Sequence, residues 1–201
     1  MQQLVFIHGG ETFDTYEEYL DALRSSPYEP FVEKQLRWKH GLKDALGEAW
    51  EVHAPSMPSP MNAKYVEWTI EFEKVIPHLR DGVLLVGHSL GGIFLAKYLN
   101  EHALPVTAAA TFLVAAPFDT EGTDYSLADF VLPASLDGLR ANGGTLHLYH
   151  SKDDPVVPFD AVEKYARLLP SAVMRIFEDR GHFMQPEFPE LIVDIKAAAQ
   201  S

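Results

Sequence analysis

The sequence predicts an α/β domain, a single mostly parallel sheet of about six strands with helices on both faces. Three observations carry that reading. Short, β-rich apolar runs alternate along the chain with longer stretches of helical spacing, the pattern of repeated strand–helix units. The runs are near-continuous in apolar residues, as central strands buried on two sides are, and lack the alternation of a sheet with one wet face. A chain of 201 residues, 47% hydrophobic and 22% charged, holds one ordinary core but would be cramped as two, so residues 1–201 are read as a single domain.

The elements follow in order. The first strand is Leu4–Ile7, which starts almost at the N-terminus. No basic segment precedes it and no apolar stretch is long enough for a signal peptide, which makes the cytoplasm the expected location. Glu11 to Trp38 is too long for a simple strand-to-helix connection. It carries seven acidic residues between Glu11 and Glu33 against the single base Arg24, together with Phe13, Tyr16, Tyr19, Tyr28 and Phe31. Two readings stand: an amphipathic helix whose aromatics pack on the domain, or an insertion that overhangs the site and shapes substrate access. Glu51–His53 is the second strand. Ala63–Leu79 has apolar residues at helical spacing (Tyr65, Val66, Trp68, Phe72, Val75, Ile76, Leu79). Strand Val83–Val86 then leads into helix Gly91–His102. The strands Ala110–Ala115, Thr145–Tyr149 and Val173–Phe177 complete the sheet, with helices at Ala161–Leu169 and Pro189–Ala199. Thr120–Leu139 is left as a small flap, and nothing in the chain is long enough for a large cap domain.

Composition excludes several classes of function. With 16 basic and 29 acidic residues the formal charge is −13, which repels nucleic acid and anionic membranes. The absence of cysteine removes disulfides, thiolate nucleophiles, Cys-ligated zinc and iron–sulfur clusters. No apolar run approaches the roughly 20 residues of a membrane-spanning helix.

Chemistry concentrates at three strand ends. Gly87-His88-Ser89-Leu90-Gly91 is a G-x-S-x-G sequence set between a strand and a helix, the context in which a serine is held in a sharp turn with its hydroxyl outward. A serine needs a base, and the base a third group to orient it; in this architecture they follow in the order serine, acid, histidine. After Thr145–Tyr149 come Asp153 and Asp154. The stiff Pro155-Val156-Val157-Pro158 turn fixes its nearer neighbour better, which favours Asp154 and leaves Asp153 as a solvated or turn-capping side chain. After Val173–Phe177 comes Gly181-His182. Of the nine histidines, only His182 combines chain order, a strand-end position and a preceding glycine. The N–H of Leu90 is one expected oxyanion donor. The second is placed in His8-Gly9-Gly10-Glu11, with Gly10 preferred over Glu11. His88 and Glu11 are candidate substrate contacts. His147 and His150 fall on opposite faces of a strand, so no metal is assigned. Neither a G-x-G-x-x-G after the first strand nor a G-x-x-x-x-G-K-[ST] is present, and no cofactor is expected.

Leu4–Gly10, Ala54–Pro58, Gly87–Gly92, Asp153–Pro158 and Gly181-His182-Phe183 with Glu187–Ile192 together resemble the α/β-hydrolase superfamily. More closely, they resemble the small serine hydrolases that include retinoblastoma-binding-protein-type hydrolases and bacterial relatives. The resemblance covers most of the chain and implies the same triad of Ser89, Asp154 and His182. Two departures stand out. Gly-His-Ser-Leu-Gly-Gly is the wording of general esterases and lipases, and residues 11–38 are longer than the family's segment. The expected activity is hydrolysis of small acyl esters through an acyl-enzyme, with a small-molecule ester or amide as partner; thioesterase and amidase or peptidase activity stay open. The alternative is a hydrolase-fold protein acting mainly as a protein-binding module.

Overall fold

A computed structural model of the chain describes residues 1–32, 36–121 and 123–200. Glu33 of the acidic segment, residue 122 of the flap and the terminal Ser201 lie outside the described residues. The strands are β1 (Gln2–Ile7), β2 (Trp50–His53), β3 (Val83–His88), β4 (Ala108–Val114), β5 (Thr145–Ser151) and β6 (Val173–Phe177). They form one sheet in the order β2-β1-β3-β4-β5-β6, and every neighbouring pair is parallel. The helices are α1 (Tyr16–Ser25), α2 (Leu42–Leu46), α3 (Tyr65–Val75), α4 (Leu90–Glu101), α5 (Asp137–Asn142), α6 (Asp160–Leu168) and α7 (Pro189–Ala198).

The period of two along each strand divides the core. Val5, Ile7, Val83 and Leu85 join Trp68 and Phe72 of α3, Phe94 of α4, Leu139 of α5 and Tyr165 of α6 on one face. Leu4, Phe6, Leu84 and Val86 join Trp38, Leu42 of α2 and Leu191 of α7 on the other. The sheet is thus covered on both sides. Among the described residues no separate cap domain sits above it, and no helix is long and apolar enough to cross a membrane.

Several sequence expectations change. The edge strand β6 is mostly exposed, with Val173, Met174 and Ile176 between 36% and 42% accessible, so the expected two-sided burial fails there. An edge has one neighbour and no further strand to shield it. The short helices α2 and α5, of five and six residues, are not anticipated by the sequence pattern; fewer than two turns give periodicity too little to act on. The aromatic segment also differs from the packed helix considered above. α1 begins at a capping box, in which Thr15 Oγ1 accepts from Glu18 N at 3.2 Å and Thr15 N donates to Glu18 Oε2 at 3.0 Å. It nevertheless buries no residue. Tyr16, Tyr28 and Phe31 are exposed, whereas Trp38 at the segment's end is in the core.

Candidate active site

The chain leaves β1 toward β2 on one side and returns to β3 on the other, so a crevice opens at the C-terminal ends of β1 and β3. Ser89 stands at that point, between β3 and α4. Its backbone is at φ 55°, a conformation that costs a non-glycine residue about 1–3 kcal/mol. Hydrogen bonds hold it there: Ser89 N donates to Val114 O at 2.8 Å, and Ser89 O accepts from Gly92 N at 2.8 Å. The flanking glycines are obligatory. A Cβ on Gly91 would lie 2.2 Å from Ile7 O, and one on Gly87 would lie 2.3 Å from Gly91 O.

Asp154 and His182 come together from the loops after β5 and β6. His182 Nδ1 lies 2.8 Å from Asp154 Oδ2 and 3.1 Å from Oδ1. The carboxylate is itself aimed, because Oδ1 accepts from Val156 N at 2.8 Å and Val157 N at 3.0 Å. Its side chain is fully buried. Asp153 has a different position. Its Oδ1 accepts from Gly181 N at 2.8 Å and from Ser151 Oγ, so it holds the histidine loop and not the imidazole.

That loop is fixed along its length. Ser151 Oγ accepts from Arg180 N at 2.9 Å, and Phe183 N donates back to Arg180 O at 3.0 Å. His88 Nε2 donates to His182 O at 2.9 Å, and Trp38 Nε1 donates to Phe183 O at 2.8 Å. Gly181 and Phe183, on either side of His182, both have positive φ. His88 is therefore buried beneath the site, its ring 5.0 Å from that of His182 and edge-on to Trp38, and it is absent from the cleft wall where a substrate contact was expected. Because its acceptor is a carbonyl, Nε2 carries the proton. Burial, with the charge His182 would carry added, pushes its pKa down to about 3 and keeps the ring neutral. The supporting roles of Trp38, His88, Ser151 and Asp153 were not visible in the sequence. They depend on which loops face each other, and only the adjacency of Ser151 and Asp153 to the acid hinted at them.

Gly10 and Leu90 face each other across the crevice: a Cβ on Gly10 would meet Leu90 Cδ2 at 3.2 Å and Pro60 O at 2.7 Å. Neither Gly10 N nor Leu90 N donates to a described residue. Glu11 N, the other candidate donor, is already committed to Pro60 O at 2.8 Å. Ser89 Oγ has no hydrogen bond to a described residue, and the adjacent His88 bonds the backbone of His182. Gly10, Glu11, Ser89, Leu90 and Val157 line a cleft of about 850 Å³. One bank is formed by residues 10–14 with α1, the other by Thr120, residues 123–128 and Val131. Thr12 Oγ1 donates to Ser126 O at 2.6 Å and Ser126 Oγ donates to Asp14, which ties the banks together. His147 stacks on Phe112 and His150 Nε2 bonds Val157 O, away from each other. Among the described residues no group of three metal-ligating side chains assembles. A hydroxyl and two N–H groups without a described acceptor on one crevice, and an imidazole bonded to a buried carboxylate beside His88, are groups that acyl transfer uses.

Comparison with known proteins points to a hydrolase. The model of the family described as serine hydrolase matches residues 33–187. The chain is 30% identical over 161 residues to the serine hydrolase RBBP9 of Rattus norvegicus, covering 79% of this chain and 82% of the relative. It is 24% identical over 188 residues to the hydrolase YdeN of Bacillus subtilis (strain 168), covering 92% and 88%. Among solved structures, the crystal structure of the ydeN gene product from B. subtilis matches with a TM-score of 0.78 at 18% identity over 100% of both chains. An esterase from Exiguobacterium antarcticum matches at 0.63 and 18%, over 100% of this chain and 92% of the other. At these identities the structural likeness speaks for the fold.

Proposed function

Since this chain belongs to the serine hydrolase family and is a serine hydrolase of α/β-hydrolase fold, what is open is its machinery and substrate, and we propose that it cleaves small acyl esters with Ser89 as nucleophile, His182 as general base and Asp154 as the orienting acid. The observation that carries the reading is the buried Asp154 carboxylate, aimed by two backbone N–H groups and 2.8 Å from His182 Nδ1. It fixes the tautomer that leaves Nε2 free to accept a proton.

In the first half-reaction Ser89 Oγ bonds to the ester carbonyl carbon while its proton passes to His182 Nε2. The carbonyl electrons move to oxygen, which accepts from Leu90 N–H and Gly10 N–H, each worth on the order of 3 kcal/mol in comparable sites. Collapse breaks the bond to the leaving alcohol, which takes the proton from His182. Water then repeats the sequence on the acyl-enzyme, releasing the acid and restoring the Ser89 hydroxyl.

The test is covalent labelling of the pure protein with a fluorophosphonate, read by intact mass. One adduct on the wild type is expected, absent in Ser89→Ala and strongly slowed in His182→Ala. A folded wild type that stays unlabelled overturns the reading, and a protein-binding role would replace it.

A further inference from the structure

The wall of the cleft above Ser89 is charged in one sense only. Glu11, Asp14, Glu18, Asp21 and Asp124 line it, and among the described residues no lysine, arginine or histidine does. Asp21 is paired with Arg24 at 2.6 Å. Asp14 and Glu18 meet only uncharged donors, Ser126 Oγ and Thr15 N. The carboxylates of Glu11 and Asp124 make no hydrogen bond or ion pair to a described residue. Lys64 Nζ is tied to Phe13 O at 3.2 Å and is not on the wall.

Carboxylates on an open surface are ordinarily only solvated charge. Here they share a single cleft with the candidate nucleophile and the two vacant N–H donors, and Phe13 and Tyr125 stand on the same wall. Carboxylates interleaved with aromatic faces are the surroundings that organic cations seek, through Coulomb attraction and cation–π contact. An anionic or purely hydrocarbon substrate would meet repulsion or leave these charges uncompensated.

We propose that the substrates of this cleft are esters or amides that carry an organic cation, a protonated amine or quaternary ammonium, held against Glu11 and Asp124 while the acyl carbonyl sits at Ser89. This rests on the hydrolytic reading of the same cleft.

Three 4-nitrophenyl esters of matched shape test it: 4-(trimethylammonio)butanoate, its uncharged carbon isostere 5,5-dimethylhexanoate, and the anionic hydrogen glutarate. At low ionic strength kcat/KM for the cationic ester is expected to exceed that of the isostere by about tenfold or more, the anionic ester being slowest, and the gap to narrow with added salt. The cationic-to-neutral ratio falls toward one in Glu11→Gln/Asp124→Asn. It persists in Glu73→Gln, a carboxylate outside the cleft, which separates a local preference from the pull of the whole anionic protein. A ratio near one in the wild type, or a ratio unmoved by the double variant, overturns the proposal. If none of the esters is cleaved, the hydrolytic reading fails. Calorimetric binding of the intact cationic and neutral esters to Ser89→Ala protein then decides the charge preference, tighter cationic binding supporting it and equal binding overturning it.

Discussion

At the scale of the residue, two neighbouring carboxylates share a sequence context and differ in their partners. Asp154 faces the His182 ring, whereas Asp153 faces the backbone of the loop that carries it. Asp154→Asn is expected to lower kcat by about 10³–10⁴ at unchanged thermal midpoint, since it disturbs the tautomer and not the fold. Asp153→Asn should cost far less in kcat but lower the midpoint; steady-state kinetics beside thermal melts separate the two. His88 gives a pH signature. Its pKa is near 3 in the fold and near 6.5 in the unfolded chain, so between those values the unfolded state binds the extra proton. Stability is therefore full above pH 6.5 and lost below it, at about 1.4 kcal/mol per pH unit from this group. Burial lowers His8, His147 and His150 as well, with the same sign. Melts between pH 4.5 and 8 should show the midpoint falling only on the acid side, with a shallower slope in His88→Gln. Strand-end position, with the G-x-S-x-G context, chain order, the Pro155–Pro158 turn and the glycine before His182, singles out Ser89, Asp154 and His182 in the sequence. The roles of Asp153 and His88 were not legible, because each is defined by a loop some 30 or 90 residues away in the chain.

At the scale of the element, all six strands and the longer helices announce themselves in the sequence, while the short helices α2 and α5 do not. The spacing through 63–79 became α3 and a following 3₁₀ turn, because Trp68, Phe72 and Val75 recur at helical intervals and are all buried. α1 carries a comparable pattern yet buries nothing, so periodicity gave its type and not its environment. Two substitutions probe how the elements hold the site. Gly91→Ala forces a methyl into Ile7 O and should cost upward of about 3 kcal/mol or prevent folding, as chemical denaturation would show. Trp38→Phe keeps an aromatic ring in the core but strips Phe183 O of its donor, at about 1–3 kcal/mol. Because the next residue back is His182, kcat should fall along with stability. A loss of stability with unchanged kcat would show that Trp38 does not hold the loop.

At the scale of the molecule, the sheet carries helices on both faces and gathers the candidate site at one edge, with no cap domain among the described residues to enclose long chains. Across straight-chain 4-nitrophenyl esters, kcat/KM should peak at short acyl groups and decline toward long ones; a maximum at long chains would refute this. The fold class was legible because a doubly covered parallel sheet forces near-continuous apolar strands. The charge of the cleft was not, because it depends on which of 29 acidic residues the loops bring together. α1 contributes Glu18 and Asp21 to that cleft while committing no side chain to the core. On the proposed reading of the cleft, substrate-facing charge and apolar packing thereby sit in separable parts of the chain. Glu18 also closes the capping box, but a lineage or a directed library can vary Asp21 and its outward neighbours without touching the core, and so retune which molecules are accepted while the sheet and its packing are inherited intact.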